Sequence, residues 1–234
     1  MKAFHRQTFD VDELKLVAGV YADYEFDRCT FSSVPFVYPR NPEDRAIIRN
    51  VRLTNCDVKE PMLGTVMVED CTIENLKTHD LFMIHGAVFK HVVLRGRFGS
   101  LMFTEFLPDG SDDEGDRLRT KALFARADDN YYERVDWALD IREAEFYDCE
   151  FRYVPGHLVR RDPETQVLIW RDNLLRHKWD RLVFPVSGYH IGLKVFVKSN
   201  RPSLVLVAGK RHPKFKLLLE QLKKLREFGI AEQD

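Results

Sequence analysis

Large apolar side chains recur through the first two thirds of the chain at a spacing of five, as in Phe26 and Phe31, or Ile141, Phe146 and Phe151. Neither the 3.6-residue period of a helix nor the two-residue alternation of a strand has that spacing. A small residue precedes the second member of each pair by two positions. The resulting pattern, apolar-x-apolar-x-x-Cys-x-apolar, accommodates all four cysteines: Tyr24, Phe26, Cys29, Phe31; Val51, Leu53, Cys56, Val58; Val66, Val68, Cys71, Ile73; and Ala144, Phe146, Cys149, Phe151. A fifth copy has Gly96 in the small position, flanked by Val93 and Phe98. A chain that turns a corner after each short strand directs every large residue into one narrow interior and every small residue into the gap beside it. The pattern therefore predicts a β-solenoid, whose stacked coils bury one continuous core.

At these residues the chain resembles the pentapeptide-repeat proteins, whose right-handed quadrilateral β-helix uses a central Leu or Phe with a small Ala, Cys, Ser or Thr two positions earlier. Residues 138–151 carry the closest copy, through Leu139/Ile141, Ala144/Phe146 and Cys149/Phe151. Unequal gaps separate the copies. The expected fold is therefore mainly β: an irregular right-handed β-helix or solenoid over residues 1–155, then a small α+β cap over 156–234 with a C-terminal amphipathic helix. The resemblance also implies macromolecular recognition, since some members mimic DNA and bind topoisomerases.

The interruptions read as loops. Pro35, Pro39 and Pro42 exclude residues 35–44 from a sheet, because proline removes a ladder donor. The acidic, turn-rich segment 107–116 reads as a surface loop, and it lacks the D-x-D-x-D-G order of a calcium loop. A short helix is expected within 128–137. Beyond Phe151, residues 157–161 and 166–171 suggest a hairpin around Asp162-Pro163-Glu164-Thr165, followed by a helix over 172–182. Residues 191–198 and 203–208 read as two paired strands. The last element is a helix opened by Pro213, with Phe215, Leu218, Leu219, Leu222, Leu225 and Phe228 at helical spacing before Gly229.

Composition adds exclusions. With 44% hydrophobic and 31% charged residues among 234, the chain has the makings of a folded core. Its apolar runs fall well short of the roughly 20 residues of a membrane helix. The first ten residues show no secretory signal, and no C-x-x-C pair occurs, so a reduced, cytoplasmic, bacterial-style protein is expected. The net charge of −1 conceals an asymmetry: residues 156–234 carry 16 Lys and Arg against 8 Asp and Glu, leaving the first 155 residues at −9.

No motif names a reaction. The eight histidines form no H-x-x-x-H or H-E-x-x-H, and His79, His85 and His91 meet only if coils stack them in register. Cysteines in the small interior positions behave as buried, inert thiols rather than as nucleophiles for His157 or His190. No catalytic, metal or cofactor site is expected, and a non-enzymatic role is favoured. The outward carboxylates Glu25, Asp27, Glu69, Asp70, Glu74, Glu143, Glu145, Asp148 and Glu150 suggest an acidic wall. Such a wall would recognise a basic protein, such as a toxin or enzyme, as an immunity or inhibitor protein does. The alternative is a nucleic-acid-binding or enzymatic site on the cap, built from Arg160, Arg161, Arg171, Arg176, His177 and Lys178. No membrane partner is expected.

Overall fold

Short strands meeting at corners organise residues 1–160. The first pass of the chain supplies β1 (Lys2–His5), β2 (Thr8–Phe9) and β3 (Val20–Ala22), and the second β4 (Tyr24–Asp27), β5 (Thr30–Phe31) and β6 (Ala46–Arg49). The third supplies β7 (Arg52–Thr54), β8 (Asp57–Val58), β9 (Met62–Leu63) and β10 (Val66–Glu69), and the fourth β11 (Thr72–Thr78), β12 (Phe82–His85) and β13 (Val88–Lys90). Then come β14 (Val92–Thr104), α1 (Glu114–Tyr132), β15 (Leu139–Asp140), β16 (Ala144–Phe151) and β17 (Val159–Arg160). The remainder is β18 (Gln166–Trp170), α2 (Arg171–Arg176), α3 (Tyr189–Lys198), β19 (Ser203–Val207) and α4 (Phe215–Glu227). This computed structural model describes residues 1–10, 19–32, 39–59, 62–105, 113–182, 184 and 188–233.

The protein is mainly β, with parallel sheets and, among the described residues, four α-helices. Each pass lies on the one before it in parallel register: Phe4 faces Phe26, Phe26 faces Leu53, Leu53 faces Ile73, and Ile73 faces Leu94. Like therefore stacks on like. Phe4 and Phe26 stack at 5.2 Å between ring centroids, and Phe103 and Phe151 at 4.8 Å. The strands alternate these inward residues with outward polar ones, so one sheet face is buried and the other is wet.

The five-residue spacing has a conformational cause. Asp23, Asn50, Asp70 and His91 all have positive φ, and so do Arg28, Asn55, Asn75 and Gly96, each five residues further on. A left-handed residue reverses the side-chain direction and bends the chain, and Asn, Asp and Gly tolerate it best. Each pass thus lays one short strand between two such corners. Side chains tie the corners together: Asn50 donates to Asp23, and Asn75 Nδ2 donates to Asn55 Oδ1 at 3.0 Å.

All four cysteines are buried and unbonded to one another. They do not share one column. Cys29 and Cys56 follow the left-handed Arg28 and Asn55, Cys71 follows the opposite corner at Asp70, and Cys149 faces Leu101 on β14. The shared local pattern thus serves different places in the stack. Burial pushes the Cys56 and Cys71 thiols up to about 11 and that of Cys149 well above its ordinary value.

A 19-residue helix, α1, interrupts the stack between β14 and β15, where a short helix within 128–137 was expected. It starts inside the segment read as an acidic loop. The Asp113 carboxylate caps it by accepting from the Gly115 N–H at 2.7 Å, and Glu114 and Asp116 complement the helix dipole. Residues 107–112 lie outside the described residues. Only Phe124, Asp128 and Tyr132 are buried, a stripe one side chain wide with an aspartate in it, so no broad apolar face announced the helix. Asp128 is fully buried, accepting from Arg45 and from the Tyr153 hydroxyl, while Arg45 also lies 4.9 Å over the Phe124 ring. Burial pushes the Asp128 carboxyl up, against the pull of Arg45. Arg45 emerges from the short 3-10 turn Pro42–Asp44; within the expected 35–44 loop, residues 35–38 are not described.

The last third departs from expectation in three places. β17 does not form a hairpin with β18; it adds in parallel to β15, with Leu139 facing Val159, so that the large sheet runs on past Pro155. β18 pairs antiparallel with β19 instead. Residues 189–198 are the helix α3, not a strand: its buried Tyr189, Gly192, Leu193 and Phe196 follow helical spacing, whereas Ile191 and Val195, which suggested a strand, point to solvent. α2 ends at Arg176, with a 3-10 turn at Trp179–Arg181 beyond it. α4 buries Leu218, Gln221, Leu222 and Leu225 and stops at Gly229, whose φ is +70°.

Three outcomes are expected. Cys56, Cys71 and Cys149 should resist a thiol reagent in the native protein at pH 8 and react once it is denatured; rapid native labelling would contradict their burial. Phe146→Ala, which empties a site packed 5.4 Å from Phe98, should lower stability by about 3–5 kcal/mol in denaturant titration. Asp128→Ala, leaving Arg45 buried without its anion, should cost about 3–5 kcal/mol, while the double change Arg45→Met with Asp128→Leu should restore most of the loss.

Candidate partner-binding face

The parallel register that stacks apolar residues inside also stacks charges outside, and opposite charges end up on neighbouring passes. Glu74 accepts two hydrogen bonds from Arg95, at 2.9 and 2.7 Å, one strand away. Glu69 pairs with Arg49 at 2.6 Å and accepts from Tyr131 of α1 at 3.1 Å. Asp27 pairs with His5 at 2.7 Å, Asp70 with His91 at 3.2 Å, and Glu25 faces Arg52 in register. Glu150 accepts from Arg152 at 2.7 Å. Hydrogen bonds hold most of these carboxylates in place, and Glu69, Glu74 and Glu150 are each charge-paired with an arginine.

They also divide among faces. Glu25, Asp27 and Glu74 line the outer side of β4 and β11, Glu69 lies on the four-stranded sheet beneath α1, and Asp70 occupies a corner. Asp148 and Glu150 line a cleft of about 100 Å³ with Arg152, Tyr189 and His212, where burial pushes the Asp148 carboxyl up. That volume is below the roughly 300 Å³ of a small-molecule site. Glu143 and Glu145 differ from the rest. Both are exposed, and neither carboxylate makes an ion pair or hydrogen bond among the described residues, although Glu145 faces Arg97 in register as Glu25 faces Arg52, and Arg142 adjoins Glu143; they flank the strip that continues to Tyr147, 42% exposed. β16 holds this strip firmly, because Phe146 and Phe151 anchor it from behind and Arg211 clamps it, its N–H donating to Phe146 O at 3.0 Å and its Nη1 to Phe98 O at 2.8 Å. The sequence reading missed Tyr147 because the five-residue pattern assigns it only an outward position.

The cap cations have mostly structural duties. Arg171 donates to the carbonyls of Phe196 at 3.0 Å and Val197 at 2.7 Å, and to Ser199, satisfying the C-terminus of α3. Arg160 stacks over Trp137 at 4.1 Å, and Arg161 pairs with Glu232 at 3.1 Å. Arg176, His177 and Lys178 remain exposed after α2, with His177 contacting Asn173 O. The histidines do not converge: His157 contacts Ser203 at 2.8 Å and stacks on Trp170, and His190 rests on Trp179. Among the described residues no group of three or more His, Cys, Asp or Glu is arranged to hold a metal, and no helix is long and apolar enough to cross a membrane. No protein-family model matches the chain, and no curated protein or solved structure is significantly similar to it.

Proposed function

We propose that the chain is an irregular β-solenoid of the pentapeptide-repeat type that acts in the cytoplasm as a non-enzymatic macromolecule-binding protein of the immunity or inhibitor kind. Its partner is a basic protein, and its contact centres on Glu143, Glu145 and Tyr147. The observation that carries this reading is an exposed tyrosine beside two exposed carboxylates that make no side-chain ion pair or hydrogen bond among the described residues, on a strand anchored from behind. A preorganised site loses little entropy on binding, the carboxylates steer a cationic partner, and tyrosine is a frequent energetic anchor at interfaces. Asp27, Glu69, Asp70, Glu74 and Glu150 serve the stack first, since each bonds a histidine or arginine of a neighbouring pass or Arg152, while Glu25 faces Arg52 in register.

A partner captured from native lysate provides the test. The double reversal Glu143→Lys with Glu145→Lys should slow association at least about tenfold at low salt, and added salt should narrow the gap. Tyr147→Ala should act mainly by speeding dissociation. Reversing Lys216, Lys223 and Lys224 on α4 should leave the association rate unchanged. If the α4 reversal abolishes binding and the β16 reversal does not, the basic cap is the binding face and nucleic acid becomes the ligand to examine.

A further inference from the structure

The interior of the parallel stack is not filled. A cavity of about 830 Å³ runs through it, lined by inward residues of every pass from Phe4 to Leu139. Protein interiors pack as densely as organic crystals and rarely leave voids much larger than a water molecule, so a continuous hole of this size is a binding volume rather than a packing fault. Its walls supply almost no partners for water, which disfavours a hydrated channel.

The cavity has a direction. At the first pass Phe4, Phe9 and Tyr21 are only half-buried, and the polar lining residues Lys2, Gln7 and Thr8 are exposed there. The lining residues Leu53 and Ile73 keep some accessible surface, whereas Leu94, Phe98, Phe103 and Leu139 keep almost none, so the open volume ends where β14 begins. Among the described residues the mouth is therefore at the amino-terminal end of the stack, and the closed end is at β14. Four strands, β1, β4, β7 and β11, lie along the open route, spanning roughly 14 Å at the usual strand separation before β14 closes it. An apolar tube that is long, closed at one end and polar only at its rim matches an unbranched hydrocarbon with a polar head. The head is anionic, because the cation at the rim is Lys2, whose Nζ lies 5.0 Å from the centre of the Phe4 ring and which has no carboxylate partner among the described residues.

We infer that the stack binds one long-chain fatty acid, with the hydrocarbon inside the cavity and the carboxylate at Lys2, Gln7 and Thr8. Its mouth lies at the opposite end of the stack from the β16 strip, and the inference does not rest on the partner assigned to that strip.

The test uses the full chain and a fluorescent polyene fatty acid, cis-parinaric acid, with palmitate as competitor. One molecule should bind per chain, palmitate should displace it completely, and octanoate should compete at least about tenfold less well, because each buried methylene adds to affinity. Palmitate should also raise the melting temperature, as any ligand of the native state does. Ile73→Trp, which fills the inner part of the tube, should reduce parinarate affinity at least tenfold while circular dichroism stays native. Lys2→Glu, at an exposed position that does not threaten folding, should weaken palmitate a few-fold and leave an uncharged long-chain alcohol unaffected. Absence of palmitate-displaceable binding overturns the inference, as does a folded Ile73→Trp protein that binds like the parent. If Ile73→Trp does not fold, the Lys2→Glu comparison decides: equal palmitate affinity overturns the assigned orientation. Competition by lysophosphatidylcholine but not by palmitate would identify a phospholipid and overturn the fatty-acid assignment.

Discussion

Everything in the parallel stack depends on the left-handed corners. A strand of about four residues is too short to be stable alone, and its side-chain period of two sets no limit on its length. The corners impose that limit. At Asp23, Asn50, Asp70 and His91, and again five residues on, φ is positive, so each pass bends at the same two places as the pass below. Repeated bending at fixed places keeps the strands in register. Register in turn puts Phe4 on Phe26 and Phe103 on Phe151, where stacking adds to burial. Gly96 occupies a corner where a Cβ would run into the Asn75 side chain, which shows how tightly adjacent corners nest.

The second constraint is a buried ion pair. α1 is too polar to be held by apolar contact alone, and Arg45 with Asp128 locks it to the stack through a charge-assisted bond. Tyr153 and Arg201 extend the lock: the tyrosine donates to Asp128, and Arg201 pairs with Asp129 at 2.7 Å while lying 4.4 Å from the Tyr153 ring centre. A buried pair of this kind contributes little net stability against an apolar substitute, but it has one geometry. It thus fixes where the helix sits over β10 and β13, and Tyr131 then reaches Glu69.

Both proposed binding properties follow from register. Outside, it places opposite charges on adjacent passes, Glu145 opposite Arg97 among them, and Glu143 and Glu145 stand out because their carboxylates close no ion pair. Inside, it lines up apolar side chains into columns that touch at the corners, as Phe26 and Phe31 do at 5.4 Å, with the proposed binding volume between them. A helical bundle would interdigitate its side chains and close such a gap, whereas stacked columns cannot shift past one another without breaking their ladders.

The mainly β character and the five-residue rhythm were written in the order of apolar and small residues, because corner geometry acts on neighbours in sequence and leaves a local trace. The last helix was legible for the same reason, its apolar stripe at Leu218, Leu222 and Leu225 being a short-range pattern. α1, the helical state of residues 189–198 and the pairing of β17 with β15 were not, since each is decided by contacts distant in sequence: Arg45 with Asp128, Leu193 and Phe196 with the core, Val159 with Leu139. The sequence supplied the carboxylates but not their partners. Whether Glu74 is free or bound to Arg95 depends on a stacking offset of 21 residues that no local pattern encodes. What the sequence determined by itself was the way the chain bends. What only the tertiary structure decided was which bends lie on which, and hence which charges and which volume remain unfilled.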